Sequence, residues 1–152
     1  MKTPLHLDIR TLLPHRAPFL MIDNILSLTD VDVTTSFRIQ KDCIFNDNGT
    51  FNETGLIENA AQTCSAIVGQ RYFKNGKLIN RKTRLIGFIS TIKNVTVNTC
   101  PEVGRTIVSN ATLKSRSDTG QYCLCSMECV VRESNRELLS CEMNLIIQEL
   151  SV

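Results

Sequence analysis

The chain has 152 residues, of which 42% are hydrophobic and 21% charged, and these values predict one soluble globular domain spanning residues 1–152. A formal net charge of +2, with no Trp, six Phe and two Tyr, gives no support for a nucleic-acid-binding surface. No stretch approaches the roughly 18 apolar residues of a membrane-spanning helix, so composition also argues against a membrane protein.

Two strands are predicted ahead of the first long helix. Prolines at positions 14 and 18 favour an extended amino-terminal segment, because proline fixes φ and removes a backbone donor. Residues 19–28 form an apolar run and residues 31–40 alternate, so the two are expected to pair as antiparallel strands. The loop that follows has its strongest turn signal at Asn48-Gly49.

A long helix is predicted over residues 55–73, with Asn52 or Thr54 as its N-cap. Its apolar residues recur at helical spacing: Leu56, Ile57, Ala60, Ala61, Cys64, Ile67, Val68 and Tyr72. The residues of a second face are small or polar and include no cation: Glu58, Gln62, Ser65 and Gly69. A solvated face would carry more charge, so we expect a helix enclosed on nearly all sides.

Glu58 is the first candidate functional residue, because a carboxylate on an enclosed helix must find partners for its charge. The alternative is that this end of the helix is exposed and that Glu58 complements the positive end of the helix dipole.

Four strands are predicted after the helix, at residues 85–97, 105–115, 122–132 and 137–150. With the two earlier strands, they predict an α+β fold in which about six antiparallel strands surround one long helix.

A cationic stretch follows the helix directly. Residues 74–84 contain no acidic side chain and five basic ones: Lys74, Lys77, Arg81, Lys82 and Arg84. This stretch is either a solvated loop or a surface that attracts an acidic partner.

Seven cysteines occur at irregular spacings, and the amino-terminal region lacks the unbroken apolar segment of a signal peptide. This pattern predicts reduced thiols packed as small hydrophobic residues in a cytoplasmic protein. A metal site is not expected, since Cys123 and Cys125 have no CxxC partner and both His6 and His15 are distant in sequence.

Two motifs give the chain a family resemblance. Residues 12–23 read LLPHRAPFLMID and resemble the amino-terminal signature of the β-hydroxyacyl-acyl carrier protein dehydratases. Residues 58–62 read ENAAQ and resemble the Glu-x-x-Ala-Gln motif on the central helix of that family. Gly87-Phe88 and the PEVG at residues 101–104 resemble later family motifs less closely.

The resemblance implies a hotdog fold, a dimer or an assembly of dimers with substrate tunnels between subunits, and dehydration of a 3-hydroxyacyl thioester. It implies no resident cofactor, since the acyl group is carried on the phosphopantetheine of acyl carrier protein or on coenzyme A. Glu58 matches the catalytic Glu of the family. Residues near it on the helix and in the preceding loop are expected to bind substrate: Gly55, Gln62, Asn52 and Phe51. The cationic stretch is then the candidate docking surface for the acidic carrier protein.

One part of the family pattern is missing. Family members carry a catalytic His in a Gly-His-Phe-Pro block before the helix, and residues 46–53 contain no His. His15 matches the signature His of the amino-terminal motif, whose family role is structural, so it is not expected to fill the vacancy. Asp47 and Glu53 are candidates for a second acid or base, with exposed loop positions as the alternative.

Three functions remain open from the sequence. The first is a dehydratase with an altered acid/base pair. The second is a hotdog thioesterase in which Glu58 activates water or attacks the carbonyl. The third is a catalytically silent protein that binds acyl thioesters or pairs with an active partner, and the loss of the family His favours it.

Overall fold

The computed structural model describes residues 7–74, 77–80 and 82–151. Within them the chain forms a 3-10 turn at Ile9–Thr11 and one α-helix, α1, at Glu53–Gly69. The strands are β1 (Asn24–Leu28), β2 (Asp32–Arg38), β3 (Asn46–Asp47), β4 (Thr50–Phe51), β5 (Phe73–Lys74), β6 (Lys77–Leu78), β7 (Thr83–Val97), β8 (Thr106–Asp118), β9 (Cys123–Glu133) and β10 (Arg136–Ser151).

Six of these strands build one antiparallel sheet in the order β1-β2-β8-β9-β10-β7. The predicted α+β fold, one long helix against about six antiparallel strands, is confirmed. β3 and β4 form a small hairpin at the predicted Asn48-Gly49 turn, where both residues have positive φ values of 50° and 89°. β5 and β6 form a second small hairpin.

The helix is buried on almost every side, as predicted from its apolar face and its second face of small and polar residues. Leu56, Ala60 and Cys64 are fully buried against the sheet, and Asn59 and Gln62 are each only 1% exposed. The helix begins two residues earlier than predicted, because the Asn52 side chain accepts the Gly55 N–H at 2.9 Å. It ends at Gly69, four residues earlier than predicted.

Gly69 lets the helix end pack closely on the amino-terminal segment. A Cβ at Gly69 would lie 2.6 Å from the Leu12 carbonyl oxygen, which is closer than real Cβ contacts. The chain then turns away, and the Tyr72 N–H bonds to the Gly69 carbonyl at 3.0 Å. The helix therefore stops where the amino-terminal segment crosses it.

Buried side-chain amides attach the amino-terminal segment to the helix. Asn59 donates to the Met21 carbonyl at 2.7 Å, and the Met21 N–H donates to Gln62 Oε1 at 2.7 Å. Residues 19–21 are thus bonded to the helix, and β1 starts at Asn24 and not at residue 19 as predicted. They also hold residues 12–16 over one face of the helix, next to the candidate site.

The seven cysteines are free, and five of them are buried in the core. Cys123 and Cys125 face the same side of β9 with their sulfurs 3.7 Å apart. Burial, together with the neighbouring Cys123 thiol, raises the pKa of Cys125 to about 12. The thiols therefore pack as protonated apolar side chains.

Candidate active site

A cavity of about 600 Å³ lies between one face of α1 and the strands β7 and β10. The helix contributes the face of small and polar residues that was predicted from the sequence, which we call the stripe: Glu58, Gln62, Ser65 and Gly69. Apolar side chains supply most of the remaining wall: Leu12, Leu13, Leu85, Phe88, Ile89, Leu145 and Ile147. The stripe spans 12 residues, from Glu58 to Gly69, and its 11 steps of about 1.5 Å give a length of about 16 Å, so the cavity is elongated.

Glu58 is half-buried in the wall of this cavity, with 34% of its side chain exposed. Its Oε1 accepts a hydrogen bond from Gln62 Nε2 at 2.7 Å. Among the described residues that line the cavity, Glu58 is the only carboxylate. A single carboxylate therefore faces a largely apolar chamber.

Gln62 holds Glu58 in place. Its Oε1 accepts the buried Met21 N–H at 2.7 Å, which directs its Nε2 towards the Phe19 carbonyl at 2.8 Å and the Glu58 carboxylate. An amide turned the other way would set Gln62 oxygen against carbonyl and carboxylate oxygens. The backbone of the amino-terminal segment thus fixes the direction of the bond to Glu58.

His15 lies beside Glu58, which the sequence did not lead us to expect. Its Nε2 is 3.8 Å from Glu58 Oε1, and its side chain is 34% exposed. Its other ring nitrogen, Nδ1, is buried and has no hydrogen-bond partner. The Arg16 guanidinium donates to the carbonyls of Leu13 and His15 at 2.9 and 2.8 Å, which fixes the backbone on both sides of the ring.

The two candidate second carboxylates lie elsewhere. Asp47 is exposed in the β3–β4 hairpin, where its Oδ1 accepts from the Asn48 amide at 3.1 Å. Glu53 is exposed at the first position of α1, near Cys100, and it adds to the effect of burial in raising the pKa of that thiol. Neither side chain lines the cavity with Glu58.

Three predicted substrate-binding residues do not line this cavity. Asn52 caps the helix, and Phe51 is fully buried with its ring 5.8 Å from that of Phe37. Gly55 lies under Phe51, where a Cβ would come within 2.5 Å of the ring. Of the four predicted residues, Gln62 alone lines the cavity.

One residue of the described part of the cationic stretch lines the cavity. Arg84 is exposed and lines the cavity, and Lys82 is exposed two residues before it. We call these two residues the rim pair. Arg81 lies outside the described residues, and for Lys74 and Lys77 only the backbone of the β5–β6 hairpin is described.

The cavity borders an unpaired sheet edge. β7 pairs with β10 along one side, and within the described residues no strand covers its other side. Five large apolar side chains of β7 are between 37% and 49% exposed: Ile86, Phe88, Ile89, Ile92 and Val95. Two of them, Phe88 and Ile89, also line the cavity.

Solved structures of other proteins share this fold. A chain of the dehydratase heterocomplex ApeI:P from Xenorhabdus doucetiae superposes with a TM-score of 0.75 at 17% identity, covering 91% of this chain and 90% of that chain. A hypothetical thioesterase protein with coenzyme A from Streptococcus pneumoniae TIGR4 gives a TM-score of 0.64 at 11% identity, covering 85% and 88%. The PaaI protein of E. coli gives a TM-score of 0.56 at 11% identity, covering 80% and 79%. This is the hotdog fold.

The family follows from the sequence itself. The family model named ApeP-like, described as ApeP dehydratase, matches residues 7–150. The chain belongs to this dehydratase family, and the resemblance to hotdog dehydratases is confirmed. A comparison with curated protein sequences gives no match.

Two further findings concern metal binding and membrane spanning. In the described residues, no three His, Cys, Asp or Glu side chains are grouped so that they could hold a metal ion. The one helix described is not long and apolar enough to cross a membrane.

Proposed function

We propose that the protein is a cytoplasmic enzyme that removes water from 3-hydroxyacyl thioesters during acyl-chain biosynthesis, with Glu58 transferring the proton. One observation carries this proposal: the Glu58 carboxylate, oriented by Gln62, faces an elongated apolar cavity of about 600 Å³. Membership of a dehydratase family supports the type of reaction. The acyl group would be delivered on the phosphopantetheine of acyl carrier protein or on coenzyme A.

The reaction can be written with one carboxyl group. Glu58 takes a proton from Cα of the 3-hydroxyacyl thioester, and the electrons of that C–H bond form the Cα–Cβ double bond. The Cβ–O bond breaks, and Glu58 returns the same proton to the departing oxygen, so that water leaves and the carboxylate is restored. The apolar wall keeps bulk water from competing for that proton and strengthens electrostatic interactions at the reacting atoms.

We further propose that two copies of the chain associate through β7. The exposed apolar side chains of this edge strand lie beside the cavity, so a second copy pairing there would bury them and close the cavity at the same time. If the β7 strands of two copies pair with each other across a twofold axis, the free backbone groups of both edges form hydrogen bonds.

Acyl carrier proteins are acidic, so their docking surface should be cationic. Arg84 of the rim pair lines the cavity, and both side chains of the pair are exposed. A carrier protein bound there could direct its phosphopantetheine arm into the cavity towards Glu58. The remaining cations of residues 74–84 are included in this proposed surface.

The experiment compares two thioesters of the same chain length on pantetheine, one 3-hydroxylated and one saturated. We expect water loss from the first, seen as enoyl thioester, and no release of free thiol from the second. Glu58→Gln should lower the rate of water loss by about 100-fold to 10,000-fold, whereas Glu53→Gln, which changes an exposed carboxylate in the first turn of the same helix, should leave it unchanged.

Each other outcome contradicts the proposal in a distinct way. Release of free thiol without water loss would make the protein a thioesterase. Saturable binding without either product would make it a silent binding protein or the partner of an active subunit. Water loss that survives Glu58→Gln would place the reaction at another site.

A further inference from the structure

We infer that His15 takes part in the proposed dehydration as a neutral hydrogen-bond donor, with Nε2–H bound to the 3-hydroxyl oxygen that leaves as water. This inference rests on the proposed function and adds a second residue to the same site. His15 lies in the amino-terminal segment, and it and Glu58 belong to the same subunit.

The distance between the two groups allows both of them to contact one substrate atom in the cavity. Nε2 of His15 and Oε1 of Glu58 are 3.8 Å apart, which is too long for a direct hydrogen bond. A third atom can lie at hydrogen-bond distance from both only at the apex of a triangle, to the side of the line that joins them, and the cavity that both residues line lies on that side. Glu58 must reach the departing oxygen to protonate it, so that oxygen is the atom that would lie within reach of both side chains.

The environment of Nδ1 determines which nitrogen carries the proton. Nδ1 is buried by this chain's own atoms and has no partner, so neither solvent nor a second subunit can supply an acceptor. A proton on Nδ1 would be an unpaired buried donor, which is costly. The tautomer with its proton on Nε2 avoids that cost and directs the proton into the cavity.

A neutral imidazole with this tautomer is suited to donate a hydrogen bond and not to accept a proton. Glu58 removes the Cα proton and returns it to the oxygen, while His15 keeps its own proton throughout. As the Cβ–O bond breaks, negative charge grows on the oxygen, and the Nε2–H bond stabilises that charge. The bonds from Arg16 to the backbone on both sides hold the ring in position before substrate arrives.

Two substitutions separate this role from that of an acid or base. His15→Leu removes the donor, and loss of one such donor is expected to lower turnover by about 100-fold to 1,000-fold. His15→Gln keeps a neutral N–H at a similar reach and should recover at least about tenfold of that loss. If the Gln variant folds, binds product and is as slow as the Leu variant, or if the Leu variant turns over like the parent, the inference is wrong.

The tautomer can be measured without any turnover. The chain has two histidines, His6 and His15, so nitrogen NMR of the imidazole rings can be assigned with His6→Gln. We expect Nε2 of the His15 ring to carry a proton and Nδ1 to carry none. A proton on Nδ1 in the folded protein would overturn the assignment.

Binding separates this inference from the proposed function. In the Glu58→Gln protein, which cannot consume substrate, the 3-hydroxyacyl thioester should bind about fivefold to tenfold tighter than its saturated analogue. Adding His15→Leu should abolish that preference. If the parent protein is inactive but tighter binding of the hydroxylated thioester depends on His15, the proposed function is wrong and the hydrogen bond from His15 to the hydroxyl is supported. If the hydroxylated thioester does not bind more tightly, or still does so after His15→Leu, the hydrogen bond is wrong, whether or not the protein is active.

Discussion

Replacing Gln62 by Leu tests whether the amide network holds the amino-terminal segment and the helix together. The substitution keeps the size of a fully buried side chain but removes its amide. It leaves the Met21 N–H without its acceptor inside the protein and removes the donors to Phe19 and Glu58. The whole effect therefore comes from lost hydrogen bonds and not from a cavity.

The expected loss is roughly 2–4 kcal/mol of unfolding free energy. An orphaned buried donor costs about 1–3 kcal/mol, and the lost bond to the partly buried Phe19 carbonyl adds about 1 kcal/mol. With a urea dependence near 2 kcal/mol per molar, the unfolding midpoint should fall by about 1–2 M. Circular dichroism in urea measures this, at one fixed protein concentration because association adds to apparent stability.

Gln70→Leu is the matched control. Gln70 follows the same helix and donates a single 2.7 Å bond to the Thr29 carbonyl at the surface, where water can replace it. Its loss should cost less than about 1 kcal/mol. Equal losses for the two variants, or no loss for Gln62→Leu, would refute the idea that this amide is the buried link between the two segments.

Three other predictions concern the sheet edge, the rim and the thiols. At micromolar concentration the chain should sediment as a dimer and not as a 17.1 kDa monomer. Ile92→Lys, on the edge strand β7, should dissociate the dimer. Val108→Lys is the control, because Val108 is similarly exposed but lies on β8, which is paired on both sides, and this variant should remain a dimer. Changing both residues of the rim pair to Gln should weaken the binding of an acyl carrier protein and reduce the salt dependence of that binding. The affinity for a pantetheine thioester should not change. A control protein with Arg38→Gln and Lys41→Gln, two exposed cations elsewhere, should bind the carrier protein like the parent. Burial raises the pKa of Cys125 from an ordinary value near 9 to about 12, so the folded chain keeps a proton that the unfolded chain releases; the urea midpoint should therefore fall as pH rises from 9 towards 12, and less so in Cys125→Ala.

The features set by local sequence pattern were predictable. The spacing of small, polar and apolar residues indicated an enclosed helix, and the stripe from Glu58 to Gly69 was recognised as unlike a solvated face. The six strands were found because alternation and turn residues mark them, with ends displaced by a few residues. Both signals act over short distances in the chain, where sequence pattern is informative.

The features set by contacts between distant segments were not predictable. His15 reaches Glu58 because Gln62 and Asn59 bind the backbone of residues 19–21, about 40 positions away in sequence. Periodicity carries no record of such a contact, and the family pattern assigned His15 a structural role. The useful signal was that the chain's two short motifs contain, between them, a His, a Glu and a Gln able to form one site. The burial of Phe51 beside Phe37, a residue of another strand, is likewise a contact between distant segments that sequence pattern does not record.

The most direct test of the account is the rate of water loss from a 3-hydroxyacyl pantetheine thioester by the Glu58→Gln protein. The account predicts a fall of about 100-fold to 10,000-fold, because the group that moves the proton is gone. The unfolding midpoint should stay close to that of the parent, since Gln preserves the shape at a half-exposed position. A parent enzyme that dehydrates the thioester and a folded Glu58→Gln variant that does so at the same rate would contradict it.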